Sequence, residues 1–585
     1  MLPETVHVSK LKAAIDDQKV KIAALDSSID NQPLNLTGGL SHRLLDDWHG
    51  WVEISGIARD SLLAWLKDKA WIAPKLFPKA PCAFNRFRID VEPGSVSVKG
   101  TVMPGFTARK FSSRAVPRVD MDLAYSKGKI IAKTFDITGL DEKSSISFDL
   151  EQGRQGGFSI KWDGSLSKHT LDAILEKNTL LSGSIEGLFR LEREPSLVQP
   201  WSFDGAINVS NLYIPLHDIR PFEIKRLRLR SLGSEIEVGS VVFYLGGEAF
   251  AGHGDIAGNA MGLSLDASLK SDAVSWNNMS RIFKMLSRYS GRSELPITGR
   301  IGFDIENFQY TRNKLGCNGP ECKKTTFTWH PLKGEVRILE DNAFSVSIKS
   351  ADLCGLNTTG VWSKKKGPGA GVFHISSGHK KNLFFQEVLQ FLRFDNEIIK
   401  GPFELDASLD GSPDKWRGGF VSLRSTDGQI RRLTLLAKVF SLLNVTDIFS
   451  GGLPDLFNEG YSYSDLDFDG RVKDGDLIVK KMTIKGRGLN IFATGSIDLD
   501  KFNSNLIFLI APFKTIDAII SNIPILGRAL GGKTGALITI PVGVNGPVRD
   551  PDVTLLPPKA VGSGILNLMK DTFKIPLYII EPVLH

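Results

Sequence analysis

No stretch of the sequence reaches roughly 18 apolar residues without a charge, the length a membrane-spanning helix needs. The nearest candidate, LIFLIAPFKTIDAIISNIPIL, is interrupted by Lys514, Asp517 and two prolines. The first residues, MLPETVHVSKLKAAIDDQKVKIAALD, lack the charged-then-apolar pattern of an export signal. As it stands, the chain is expected neither to span a membrane nor to direct its own export.

Cysteine is scarce, with four residues in 585: Cys82, Cys317, Cys322 and Cys354. A structural zinc site needs a closed ligand set at suitable spacing. His330 and Cys354 lie near this region, but no second close Cys/His pair exists, so no metal is expected. Cys317 and Cys322, in GCNGPEC, are candidates for a small disulfide loop in an oxidising compartment. The ten histidines are scattered, and neither H-E-x-x-H nor G-x-S-x-G occurs, which excludes the common metalloprotease and esterase sites. The 72 basic residues are interspersed with 65 acidic ones, for a net charge of +7. A nucleic-acid binder concentrates its basic residues, so no nucleic-acid partner is expected.

Two motifs look like ligand sites. GRALGGKT, residues 527–534, fits the pattern of a phosphate-binding loop. Such a loop requires a strand before it and a helix after it, so that backbone N–H groups and the helix N-terminus converge on the phosphates. Here IDAIISNIPIL precedes it as a helix stopped by Pro524, and GALITIPVGVNG follows as an alternating strand. The order is reversed, so no nucleotide cofactor is expected. In DLDFDG, the three acids Asp465, Asp467 and Asp469 lack the distal Glu that closes a calcium loop. On a strand they share the solvent face, while Leu466 and Phe468 point inward.

What the sequence has in quantity is alternation. With 57 Gly and 28 Pro between strand-like segments, period-two patterns dominate, each marking a strand with one apolar face. In RFRIDVEPGSVSVKG, Phe87, Ile89 and Val91 alternate with charges before a Pro-Gly turn. KRLRLRSLG sets Leu227 and Leu229 opposite Arg226, Arg228 and Arg230. Leu263 and Leu265 repeat the pattern, as do Ile301, Phe303 and Ile305, and then Phe403, Leu405 and Leu409. Hairpins recur without a strict period. Amphipathic helices are expected near 60–72, 277–290, 381–394, 429–445 and 560–573.

A one-faced sheet must bury its apolar side against another layer. These helices are too few to cover so much sheet. The fold expected is mostly β: an elongated antiparallel, curled β-groove of repeated hairpins, with a few amphipathic helices capping or decorating it. Several separate β-sandwich domains are the alternative. Residues 1–79 form an N-terminal segment with a helix, 80–294 groove repeats, and 295–400 a repeat with the cysteine loop. Residues 401–585 form a C-terminal domain.

Within 401–585, the ordered segments TDGQIRRLTLLAKVFSLLNVTDIF, LPDLFNEGYSYSDLDFDGRVKDGDLIVKKMTIKG, LNIFATGSIDLDKFNSNL and VGVNGPVRDPDVTLLPP resemble the AsmA-like superfamily of bacterial envelope proteins, notably its long YhdP/TamB-type members. GRALGGKT looks like that family's turn between its helix and final strands. The resemblance implies a non-enzymatic, lipid-conducting protein of the periplasm, without cofactors. Its partners would be phospholipid acyl chains, the inner and outer membrane surfaces and other envelope proteins. It would serve phospholipid transport and outer-membrane integrity; a structural or assembly factor for outer-membrane proteins is the alternative. The family's N-terminal membrane anchor has no counterpart here, so anchoring is expected through a segment outside this chain. In this reading Phe87, Ile89, Val91, Leu263, Leu265, Ile301, Phe303, Ile305, Phe403, Leu405 and Leu409 line the lipid groove.

The reversed order around residues 527–534 makes Lys533→Ala silent. Calorimetry is expected to register no ATP binding in either the parent or the variant; micromolar binding lost on substitution would reinstate the phosphate loop.

Overall fold

The computed structural model describes residues between 6 and 579, with gaps of which the longest are 107–115, 283–296, 314–323, 439–459, 513–536 and 562–576. The protein is mostly β, an open and mostly antiparallel sheet structure of hairpins with four short helices among the described residues. It divides into two compact units: residues 1–272 with 278–302 and 338–342, and residues 273–277 with 303–337 and 343–585.

The chain begins with β1 (Val6–Asp16), β2 (Lys19–Ile29), β3 (Leu34–Arg43) and β4 (Trp48–Ala58), then α1 (Asp60–Asp68). Six strands follow: β5 (Cys82–Glu92), β6 (Ser95–Pro104), β7 (Arg118–Ser126), β8 (Lys129–Thr138), β9 (Lys143–Glu151) and β10 (Phe158–Ser167). After α2 (Lys168–Ile174) come β11 (Ser184–Arg193), β12 (Trp201–Ile214), β13 (Phe222–Leu232), β14 (Glu235–Leu245), β15 (Glu248–Asn259) and β16 (Gly262–Ser275). Helical residues 276–282 form α3. Then follow β17 (Ile297–Asn313), β18 (Lys324–Trp329), β19 (Leu332–Ile338), β20 (Phe344–Leu353), β21 (Leu356–Lys364) and β22 (Ala370–Ser376), with α4 (Phe385–Phe391) closing the block. Both β18 and β19 pair with β17, so they share one lane.

A period runs through this order. The helices start at residues 60, 168, 276 and 385, a spacing of 108 or 109 residues. Sequence reading found no strict period because only the alternation recurs. It also missed α2, whose seven residues span barely two turns, too few for a helical pattern to stand out. Of the helix expected at 429–445, residues 429 and 430 are strand instead and most of the remainder lies outside the described residues, as does nearly all of 560–573.

The helices repeat a packing role as well. Leu62 and Leu63 of α1 bury against Leu34 at the start of β3. Thr170 of α2 lies under Gly139 of the β8–β9 turn. Ile282 of α3 sits beneath Gly246 of the β14–β15 turn, and Leu383, just before α4, sits beneath Gly355 of the β20–β21 turn. Each helix thus closes one end of the hairpin that precedes its own strand. In the first unit α1 and α2 are also joined. Lys67 pairs with Glu176 at 2.5 Å, and the Lys79 N–H donates to the Ile174 carbonyl.

The remaining strands are β23 (Ile399–Lys400), β24 (Phe403–Ser412), β25 (Lys415–Ile430), β26 (Tyr461–Lys473), β27 (Asp476–Gly486), β28 (Leu489–Asp498), β29 (Asn503–Pro512), β30 (Leu537–Pro547), β31 (Asp552–Leu555) and β32 (Leu577–Ile579). Consecutive strands pair antiparallel from β24 to β31, and β32 lies parallel to β30. At the other end of the described residues, β1 pairs antiparallel with β2.

Glu142, in the β8–β9 turn, holds α2 in place. Its carboxylate accepts from the Ser167 N–H at 2.9 Å, from the Ser167 hydroxyl at 2.6 Å, and from the Thr170 hydroxyl. Burial pushes this carboxyl up, but the hydrogen bonds and the nearby His169 outweigh it and leave it below its ordinary value. A depressed native pKa stabilises the fold above the unfolded pKa and ceases to do so as pH falls through the native value. Glu142→Ala should therefore lower local stability by about 1–3 kcal/mol at neutral pH. Hydrogen exchange over residues 167–175 should register the loss, and the difference between parent and variant should shrink under acid.

Candidate functional site

The site is a wall assembled by strand register. In the first unit Val52 pairs with Ile89, Ile89 with Val98, and Val98 with Leu123. The row continues through Ala132, Phe148, Ile160 and Leu191 to Phe203. Nine consecutive strands, β4 to β12, thus place an apolar residue at one level of one face. At about 4.8 Å per strand the row is roughly 38 Å long. A second row runs from Val91 through Val96, Tyr125, Ile130 and Leu150 to Phe158, then Arg193 and Trp201.

The face is curled. Gly164 and Gly187 oppose each other at φ +117° and +135°. A Cβ on either would lie 2.1 or 2.2 Å from a neighbouring carbonyl oxygen. Only glycine admits that approach.

The two rims of this wall differ. Towards α1 and α2 its side chains are buried, with Val102 9%, Val119 7%, Ile137 7% and Leu166 5% exposed. Along the opposite rim, which includes the β5–β6 and β7–β8 turns, Val96 is 41%, Tyr125 45% and Ile130 38% exposed. Ile160, in the first row, is also 38% exposed. These side chains share a face with the buried ones, yet among the described residues no second layer covers them.

The outer face is polar. Lys99 pairs with Asp122, Arg118 with Asp120 and Lys129 with Asp149, each at 3.0 Å. Arg226, Arg228 and Arg230 are exposed, as their alternation with Leu227 and Leu229 predicts. Exposed pairs of this kind contribute about 0–1 kcal/mol each. Their effect here is to keep the outer face wet.

The predicted lining residues fall into two environments. Phe87, Ile89 and Val91 share the inner face of β5, and Leu263 and Leu265 that of β16, all half-buried. Ile301 is half-buried too. In the second unit the Phe303 ring lies over Gly334, and Ile305 is buried. Phe403 belongs to a packed core, its ring stacked on Phe385 of α4 at 4.3 Å. Leu405 and Leu409 are half-buried, paired with Leu423 and Gly419. Their neighbours on β26 to β31 form a dense core in which Ile491, Ala493, Val542 and Val544 are at most 1% exposed. Sequence reading did not single out Tyr125, Ile130, Phe148 or Ile160, although their segments alternate; nothing in one sequence says which apolar faces lack a cover.

Asp465, Asp467 and Asp469 lie on β26, where Leu466 is buried and Asp467 pairs with Lys481 and with Arg424. This is the strand face expected. The Cys82 thiol is buried, which pushes its pKa up to about 12 and leaves it unreactive. Cys317, Cys322 and residues 527–534 lie outside the described residues. Among the described residues no group of three His, Cys, Asp or Glu side chains could hold a metal, and no helix is long and apolar enough to cross a membrane. Comparisons with protein-family models, characterised proteins and solved structures found no match.

The two environments predict opposite responses to a carboxylate. Ile160→Asp places its charge where water reaches, so the protein should fold with little loss of secondary structure. Phe403→Asp buries a charge at a cost of several kcal/mol and should unfold the surrounding strands. Circular dichroism and limited proteolysis on the pair check this; an unfolded Ile160→Asp would mean the wall is a packed core.

Proposed function

We propose that the protein conducts phospholipid in the periplasm between the inner and outer membranes without catalysing a reaction, as the AsmA-like resemblance implies. The observation that carries this reading is the apolar row from Val52 to Phe203, unbroken over nine strands and part-exposed at Ile160. Apolar side chains of a sheet face left in water, such as Ile160, are unfavourable unless something covers them, and contiguous exposed apolar patches mark binding surfaces. Acyl chains suit it, because each CH₂ removed from water contributes about 0.8 kcal/mol. The contacts are non-directional, so a chain shifted by one strand meets an equivalent row. That near-degeneracy lets a lipid slide without a chemical step. Direction would then come from supply at one membrane and removal at the other.

Mass spectrometry of the intact protein, isolated in mild detergent, is expected to find diacyl phospholipid bound, and Ile160→Asp should lower its amount by about tenfold. Protein free of lipid, but retaining outer-membrane proteins, would favour the assembly-factor reading instead.

A further inference from the structure

The open rim does not continue along the whole first unit. At its β12 end, Trp201 is only 3% exposed, although it ends the same row that begins at Val91. The hairpin of β13 and β14 is short at this end, turning at Gly233, and beyond its tip β12 meets β15 directly. The Trp201 Nε1–H donates to the Asn259 carbonyl at 2.9 Å, and a Cβ on Gly258 would fall 2.3 Å from the Trp201 Cβ. The Gly258 N–H reaches the Ser234 carbonyl of the hairpin tip at 3.5 Å. Phe158 packs edge-on against the Trp201 ring at 5.6 Å, and the Arg193 guanidinium lies 5.8 Å from it. The rim that is open at Val96, Tyr125 and Ile130 is therefore shut between β12 and β15.

From this geometry we infer that Trp201 is a stop on the lipid track: lipids lie in the stretch from β5 to β11 with headgroups over the open rim, and pass towards β16 only when the Trp201–Asn259 contact opens. This rests on the lipid-conducting reading. The physical reason is the headgroup. Acyl chains stay against the apolar rows, whereas a phosphate must remain in water, and the uncapped rim is the side that offers it. The opposite rim is sealed by α1, the segment at Phe77–Lys79 and α2. A headgroup moving along the open rim meets the closed seam at Trp201, where burying its charge would be costly. Gly258 fits this role, since a side chain there would collide with the indole.

The test places a photoreactive benzoylphenylalanine in the full chain, at Val96 on the open rim or at Leu265 on β16 beyond the seam. Each protein is incubated with phosphatidylethanolamine–phosphatidylglycerol vesicles, and cross-linked lipid is counted by mass spectrometry. The expected result is capture at Val96 and little at Leu265. Trp201→Ala should raise capture at Leu265 by about tenfold, the population change that follows from losing one hydrogen bond and its packing. Trp201→Phe, which keeps a ring but removes the N–H donor, should give a smaller rise and guards against misfolding of the alanine variant. Equal capture at both positions in the parent, or no rise in either folded variant, overturns the stop while leaving lipid conduction intact. No capture at Val96 overturns lipid conduction and the stop with it.

Discussion

Cross-strand register is the constraint on which everything else depends. A slip of one residue anywhere between β4 and β12 would turn that strand's apolar side chains outward. The pairings avoid this, and irregularities are arranged so that the phase survives them. Between Phe84 and Phe87 the register shifts around Arg86, which adopts a left-handed conformation, and both phenylalanines remain in the same cluster. A similar shift on β8 carries the inner face from Ala132 to Phe135. Such bulges also increase local twist, so the devices that preserve the face help to curl it.

Because no second layer covers the apolar face among the described residues, the helices have a limited task. They do not cover the wall; they close its ends. Each buries two or three residues against a hairpin turn, and in the first unit the links between α1 and α2 make one rim continuous. Along the other rim no helix packs among the described residues, and there Val96, Tyr125 and Ile130 stay wet. The asymmetry between the rims gives the wall an accessible side.

The strands after β25 solve the burial problem in another way. Ile491 and Ile510 on one face, and Phe492 and Leu509 on the other, are all within 2% of full burial. Strands covered on both faces behave as ordinary core, with stability that does not wait for a ligand. The wall of the first unit has weaker internal burial and gains more from an occupant, since anything that binds only the folded form stabilises it. One chain thus combines a core buried on both faces with a wall whose rim side chains are part-exposed.

Alternation placed many of the strands, with their inward and outward residues, and determined that the fold is mostly β; between an open groove and separate sandwiches it did not decide. Phe87, Ile89 and Val91 needed only a period of two to be placed on one face, and Asp465, Asp467 and Asp469 to be placed on the other. The resemblance added a lipid reading that no comparison reached independently. Tertiary structure decided what one strand cannot express. Phe403 and Ile160 both sit inward on alternating strands, yet one stacks beneath a helix and the other meets water. The spacing of 108 or 109 residues emerged only when α2, too short to show a helical pattern, was seen in place between helices expected from sequence. Trp201 reads in sequence as one more aromatic in a strand. Its role as a closure depends on Gly258 and Asn259, more than fifty residues away, because which neighbour covers a side chain is settled by folding and not by local pattern.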